Sequence, residues 1–245
     1  MSLTLTFLGS GDAFGSGGRF QTCLHLAHDT GALLIDCGAS SLVAMQRAGV
    51  DPSAIDAVVL THLHGDHFGG VPFLILHSQF ARRTRPLTVV GPPGVEARVR
   101  AALEVLFPGS STVERRFATI FLELEERAAV DIAGAIVIAY PVVHASGAPP
   151  FAVRVTAGGR SVAYSGDTEW TDTLREAADG ADVFVCEAYT WDRKLKFHLD
   201  WATLAAQRAT LRCPRLILTH MGPEMLARRA EAGVECAEDG ARVPV

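Results

Sequence analysis

The chain reads as an α/β protein made of two β-sheets packed together, with helices on the outside. Three observations lead there. Short apolar runs separated by tight turns crowd the N-terminal end. Farther on, strand-like runs alternate with stretches of helical spacing. About half of the 245 residues (49%) are hydrophobic, enough for a substantial core. A simple parallel, doubly wound sheet would satisfy the same periodicity, and the pattern alone leaves both open. One domain over residues 1–245 fits this length better than two small ones.

Taken in order, Leu3–Leu8 alternates with threonines and reads as a strand. Gly9 to Gly18 is Gly/Ser-rich and reads as a loop. Thr22–Ala27 and Ala32–Ile35 read as strands around Asp29-Thr30-Gly31, and Ser40–Ala48 as a helix. Ile55–Leu60 is a continuous apolar run, hence a buried strand. Leu87–Val90 is a strand stopped by Gly91-Pro92-Pro93-Gly94, and Val95–Phe107 has helical spacing. Phe117–Leu124 and Ala135–Val143 read as strands, and Phe151–Thr156 with Ser161–Tyr164 as a hairpin. Asp182–Cys186 and Leu216–Leu218 read as short buried strands, and Trp201–Leu211 and Glu224–Ala232 as helices. There is no internal repeat, low-complexity tract or linker.

A formal net charge of −5 argues against a broad nucleic-acid grip, which calls for a basic surface. Arg82-Arg83-Thr84-Arg85 and Arg115-Arg116 read as solvated charges. The five cysteines are odd in number, scattered and without a CxxC pair, so they read as free thiols in a reducing compartment. The start, Met1 to Leu8, has neither the charged region nor the apolar stretch of a signal peptide. No run of about 18 apolar residues is present to span a membrane. The cytoplasm is the default expectation.

The chemistry concentrates in Thr61-His62-Leu63-His64-Gly65-Asp66-His67. Three imidazoles and a carboxylate this close cannot serve packing, because burying them unpaired costs several kcal/mol. A bound cation makes the arrangement favourable. The cluster is too rich for one ion: His62 and His64 can face one metal while Asp66 and His67 face another. Further donors stand where strands are expected to end: His144, Asp167 in Ser165-Gly166-Asp167-Thr168, and His220 in Leu218-Thr219-His220. Strand ends are where open α/β sites collect catalytic groups. All donors are nitrogen or oxygen, so two divalent ions are expected, Zn²⁺ first, with Mn²⁺ or Fe²⁺ as alternatives.

Thr61-His62-x-His64-x-Asp66-His67-x-x-Gly70 resembles the signature of the metallo-β-lactamase superfamily, and His144, Gly166-Asp167-Thr168 and Thr219-His220 match its later motifs in order. The resemblance spans nearly the whole chain. It implies a four-layer αββα sandwich with the metals at one edge between the sheets. It implies that His62, His64 and His144 bind one metal, Asp66, His67 and His220 the other, and that Asp167 bridges them. Position 64 is His where the diiron oxidoreductases of the superfamily carry Glu. Position 167 is Asp where its true β-lactamases carry Cys. Redox chemistry and lactam hydrolysis are therefore disfavoured.

Phe7-Leu8-Gly9-Ser10-Gly11-Asp12-Ala13-Phe14 resembles the opening of the ribonuclease Z-like branch, which includes tRNA 3′-processing endonucleases and cyclic phosphodiesterases. Cys186-Glu187-Ala188 and Phe197-His198-Leu199-Asp200 resemble two further motifs of that branch, although Asp200 stands where Ser or Thr is usual. The resemblance implies phosphodiester hydrolysis, in which two cations about 3.5–4 Å apart clamp phosphate oxygens and lower the pKa of a bridging water. Asp66 would orient or deprotonate that water. His198, held by Glu187 or Asp200, would protonate the leaving alkoxide. The long basic arm with which ribonuclease Z-type enzymes clamp tRNA has no counterpart, so a small-molecule or short nucleotide phosphodiester is expected and tRNA is not. Relatives in this branch are often homodimers. The alternatives are a thioester or lactone hydrolase of glyoxalase II type, a tRNA 3′-processing endonuclease, and a metal-stabilised scaffold without turnover. Arg19 is a candidate phosphate contact, and Trp170 and Trp191 are candidate pocket walls.

Overall fold

The computed structural model describes residues 3–245; Met1 and Ser2, where the reading of the chain start begins, lie outside the described residues. Two seven-stranded sheets form its middle. The first contains β1 (Leu3–Gly9), β2 (Cys23–His28), β3 (Gly31–Ile35), β4 (Ala57–Val59), β5 (Leu87–Gly91) and β6 (Thr119–Glu123), and the C-terminal β14 (Arg242–Pro244) pairs with the outer edge of β1. The second runs β7 (Ala129–Ile132), β8 (Ala135–Pro141), β9 (Phe151–Ala157), β10 (Arg160–Tyr164), β11 (Val183–Glu187), β12 (Leu216–Thr219) and β13 (Glu235–Cys236). Each sheet is antiparallel on one side and parallel on the other: β14, β1, β2 and β3 pair antiparallel, as do β7 to β10, while β3 to β6 and β10 to β13 pair parallel. This excludes the simple doubly wound alternative.

Alternation of side chains explains why two sheets need four layers. Leu3, Leu5, Phe7, Leu24, Leu26, Leu33, Ile35, Ala57 and Val59 point inward and pack with Val137, Val153, Val155, Val162 and Val185 of the other sheet. The opposite face of the first sheet carries Leu34, Val58, Leu60 and Val89, covered by α1 (Ser41–Ala48), α3 (Val71–Phe80) and α4 (Val95–Leu106). The outer face of the second carries Ala163, Phe184, Cys186 and Leu218, covered by α5 (Thr173–Ala178), α6 (Trp201–Gln207) and α7 (Pro223–Arg228). The strands are apolar on both faces because both faces are covered. The αββα sandwich is the observed fold.

Several boundaries differ from the sequence reading. The apolar run 55–60 yields only three strand residues, Ala57–Val59, and its remainder turns toward the site. The strand expected to end at Val143 stops at Pro141, whose ring supplies no amide hydrogen, so His144 sits on an irregular segment. The helices starting at Trp201 and Pro223 each tighten into a 3₁₀ turn, after Gln207 and Arg228. Among the described residues no helix is long and apolar enough to cross a membrane.

Candidate metal centre

Strand β4 delivers the histidine loop, and a short helix α2 (Gly65–Phe68) shapes it. His64 stands in extended conformation at the start of that helix and accepts the amides of His67 and Phe68, so Asp66 and His67 lie in the first turn. Close backbone approach makes this possible. A side chain at Gly38 would meet the Asp66 carbonyl, and one at Gly70 the Gly38 carbonyl.

The donors gather into two groups. The donor atoms of His62, His64 and His144 lie within 4.8 Å of one another, as do those of Asp66, His67, Asp167 and His220. Asp167 stands between them: its Oδ2 is 3.9 Å from both His62 Nε2 and His144 Nε2 and 3.4 Å from His220 Nε2, and its Oδ1 is 3.3 Å from His67 Nε2. His67 Nε2 is also 3.2 Å from Asp66 Oδ2.

These groups fit cations. His62 Nε2, His67 Nε2 and Asp167 Oδ1 are buried without a hydrogen-bond partner. Such atoms are costly unless something binds them, and all three stand among the other donors, His62 Nε2 facing Asp167 and His67 Nε2 facing Asp66 and Asp167. The opposite ring nitrogens are occupied. His67 Nδ1 is 2.6 Å from Asp36 Oδ2, His144 Nδ1 is 2.8 Å from the Phe197 carbonyl, and His220 Nδ1 is 3.2 Å from Thr22 Oγ1. A hydrogen bond at one ring nitrogen fixes the tautomer that frees the other as a donor. Asp36, fully buried, is itself held by the amide and hydroxyl of Thr61 at 2.8 and 2.9 Å. Sequence reasoning passed over Asp36, Thr22 and the Phe197 carbonyl. Asp36, an acidic residue directly after an apolar strand, showed no more than the pattern of an ordinary turn.

Electrostatics agree with the geometry. Burial opposes the charge of Asp167, but His220, His67 and His62 around it hold its carboxyl well below the usual range. Burial likewise opposes a proton on His67, but Asp167, Asp36 and Asp66 outweigh it and raise the imidazole well above its ordinary value. Burial keeps His62, His144 and His220 below theirs.

His198 stands beside both groups, its ring centroid 5.1 Å from that of His144 and 6.0 Å from that of His220. Its Nδ1 is 3.1 Å from Glu187 Oε2, at the end of β11. Asp200 is engaged elsewhere: it caps α6 through the Thr203 amide at 2.9 Å and takes the Lys194 ammonium at 2.8 Å. Glu187 is therefore the group that orients His198. Burial works against charge on both partners: with Asp167 nearby it pushes the Glu187 carboxyl up to about 8, while the bond to Glu187 and its charge lift the His198 imidazole to about 9. His198 also falls within a third possible donor group, with His144 and Asp167. The Tyr189 ring leans on His198 at 4.9 Å, a neighbour the sequence did not reveal.

Arg19 does not join the site. Its side chain is 8% exposed and is spent on the Ser10 hydroxyl and Ala237 carbonyl, both at 2.6 Å, and on Glu238 at 2.7 Å. Trp170 lines a groove of about 560 Å³ beside His198. Trp191 packs between Arg228 and Trp201 on the outer helical layer.

A cluster of histidines and aspartates at the strand ends of a two-sheet αββα sandwich defines a metal-dependent hydrolase. The Beta-lactamase superfamily domain matches residues 32–221, and the chain belongs to the metallo-β-lactamase superfamily as a ribonuclease Z-like member. It is 26% identical to a ribonuclease Z of Agathobacter rectalis, over 91% of this chain and 89% of that protein. The fold superposes on the short form of human tRNase Z with a TM-score of 0.80 at 24% identity, covering 98% of each chain. A diphosphatase of the PhnP family gives a TM-score of 0.79 at 21% identity, covering 98% of this chain and 97% of that one.

Proposed function

We propose that the protein is a dinuclear phosphodiesterase for a small or flexible phosphodiester. The observation that carries this reading is His198, oriented by the buried Glu187 and set beside both donor groups. In the proposal His62, His64 and His144 hold one ion, Asp66, His67 and His220 the other, and Asp167 is shared. Zn²⁺ suits the donors best, with Mn²⁺ or Fe²⁺ as alternatives. Bound there, the ions would supply Lewis acidity toward the phosphate and lower the pKa of water.

The chain's own residues do the rest. Asp66, whose charge is opposed by burial but favoured by His67, is held in the ionised form that orients water or takes its proton. The water oxygen bonds to phosphorus, the bond to the leaving oxygen breaks, and His198 gives that oxygen its proton. Glu187 keeps the His198 ring turned and charged. The products are a phosphomonoester and an alcohol. Residues 145–150 make only a short connection after His144, which favours a compact substrate. We further take residues 1–245 to act as one domain, in the cytoplasm and as a homodimer.

The test is His198→Ala. Metal content should stay at two per chain while turnover of a phosphodiester falls roughly 10²–10⁴-fold. Loss of metal, with residual turnover in proportion to occupancy, would make His198 a ligand instead of the acid. A second reading, tRNA 3′ processing, is favoured by the ribonuclease Z of Agathobacter rectalis, which matches 91% of this chain. Cleavage of a precursor tRNA at rates above those for dinucleotides would establish it.

A further inference from the structure

We infer that Glu169 is a positioning residue that ties the His144 donor to His198 through one strained residue, Phe197. The inference rests on the reading of His144 and His198 given above. Among the described residues six non-glycine residues have positive φ, and three of them, Asp36, Phe197 and His220, lie at the centre. Phe197, at φ 70°, is the bulkiest and the most positive of the six. A large side chain adopts this conformation only when its surroundings impose it.

Two hydrogen bonds hold it there. Its amide donates to Glu169 Oε1 at 2.8 Å, and its carbonyl accepts from His144 Nδ1 at 2.8 Å. The next residue is His198, whose amide closes a tight turn onto the Leu195 carbonyl at 3.1 Å. Relaxing the Phe197 backbone out of positive φ would therefore release the His144 ring and swing His198 away from Glu187.

Glu169 is well placed to hold Phe197. It follows Asp167 by two residues, and its amide donates to the Val143 carbonyl at 3.1 Å. The neighbouring Thr168 hydroxyl accepts the Val143 amide at 3.0 Å and donates to the Glu169 carbonyl at 2.6 Å. The segment 168–169 thus grips the residue before His144, while the Glu169 side chain grips the amide of Phe197, the residue whose carbonyl steadies the His144 ring. One short stretch sets the ligand from both sides. This explains how His144 is held although β8 ends three residues earlier.

The test is metal titration of the metal-free protein against a competing chromophoric chelator, a readout independent of turnover. Glu169→Ala should weaken one of the two binding steps about 10-fold, the lower end of the range for direct partners of metal-ligating histidines, because it acts through Phe197. Glu169→Gln keeps an acceptor oxygen at the same reach and should stay close to the parent. Adding Phe197→Gly to Glu169→Ala should recover part of the loss, because glycine adopts positive φ without steric cost. Glu169→Asp, which keeps the charge but shortens the reach, should fall between Ala and Gln, and it serves if Glu169→Ala does not fold by circular dichroism. Two binding steps unchanged in both Glu169→Ala and Glu169→Asp would overturn the inference, as would a Gln variant as impaired as Ala. A parent protein that binds fewer than two ions, or whose binding ignores His144→Ala, would instead overturn the reading on which it rests.

Discussion

Replacing Asp36 by asparagine tests how this centre is built, because the two residues have nearly the same shape. Asp36 Oδ1 accepts the Thr61 amide at 2.8 Å and Oδ2 faces His67 Nδ1 at 2.6 Å. Both are acceptor roles, and an asparagine has only one acceptor oxygen. If that oxygen stays with the Thr61 amide, the new NH₂ faces His67 Nδ1. The imidazole must then carry its proton on Nε2, the atom that faces Asp66 and Asp167. If the side chain flips, the NH₂ meets the Thr61 amide and a buried donor is left unpaired, at about 1–3 kcal/mol. The variant should lose about 10–100-fold in metal affinity, which is about 1.4–2.7 kcal/mol. Asparagine tolerates the φ of 57° at this position, so backbone strain does not confuse the result. The assay is chelator competition with Co²⁺ or Zn²⁺, alongside a thermal melt of the metal-free protein. Unchanged affinity in a folded variant would refute the claim that Asp36 sets the His67 tautomer.

Metal affinity should depend on pH in a defined way. Asp66 and Asp167 are held below their ordinary values and stay ionised at neutral pH, while His62, His144 and His220 are held below theirs and stay neutral. His67 is raised well above its ordinary value, so among these six it alone must release a proton when a cation binds. Apparent affinity should rise about tenfold per pH unit until the pH passes the His67 value, and a flat profile from pH 6 to 8 would contradict this. Arg19→Ala should cost about 1–3 kcal/mol of stability in urea titration, because it strands the Ala237 carbonyl, without raising KM for a phosphodiester. A KM effect without loss of stability would return Arg19 to the substrate. Leu24→Ala opens a gap between the sheets at a fully buried position and should cost about 2–5 kcal/mol. A loss below about 1 kcal/mol would mean that the layer closes around the gap.

The sequence revealed the donors better than the frame that aims them. His62, His64, Asp66 and His67 were legible because so many polar side chains in one short loop have no packing rationale. The structure brings these four close to His144, Asp167 and His220. Asp36 was not legible, since a lone aspartate after an apolar strand looks like any turn residue. Phe197 was less so, because no local rule marks a phenylalanine for positive φ; only the bonds to Glu169 and His144 impose it. Helix α3 escaped delimitation because Val-Pro-Phe-Leu-Ile-Leu is apolar on every side and shows no helical stripe. Strands β13 and β14, two and three residues long, are too short for any periodicity and are fixed by pairing with β12 and β1. Arg19 shows the converse error, in which a basic residue in a glycine-rich loop suggested an anion but serves the fold.

The most direct test of the central claim is steady-state hydrolysis of bis(p-nitrophenyl) phosphate beside a thioester and a lactone, with metal counted on the same sample. The account predicts two metals per chain and turnover of the phosphodiester well above the other two. Thioester or lactone turnover without phosphodiester activity, at full metal occupancy, would contradict it and favour an acyl-transfer hydrolase on the same donors.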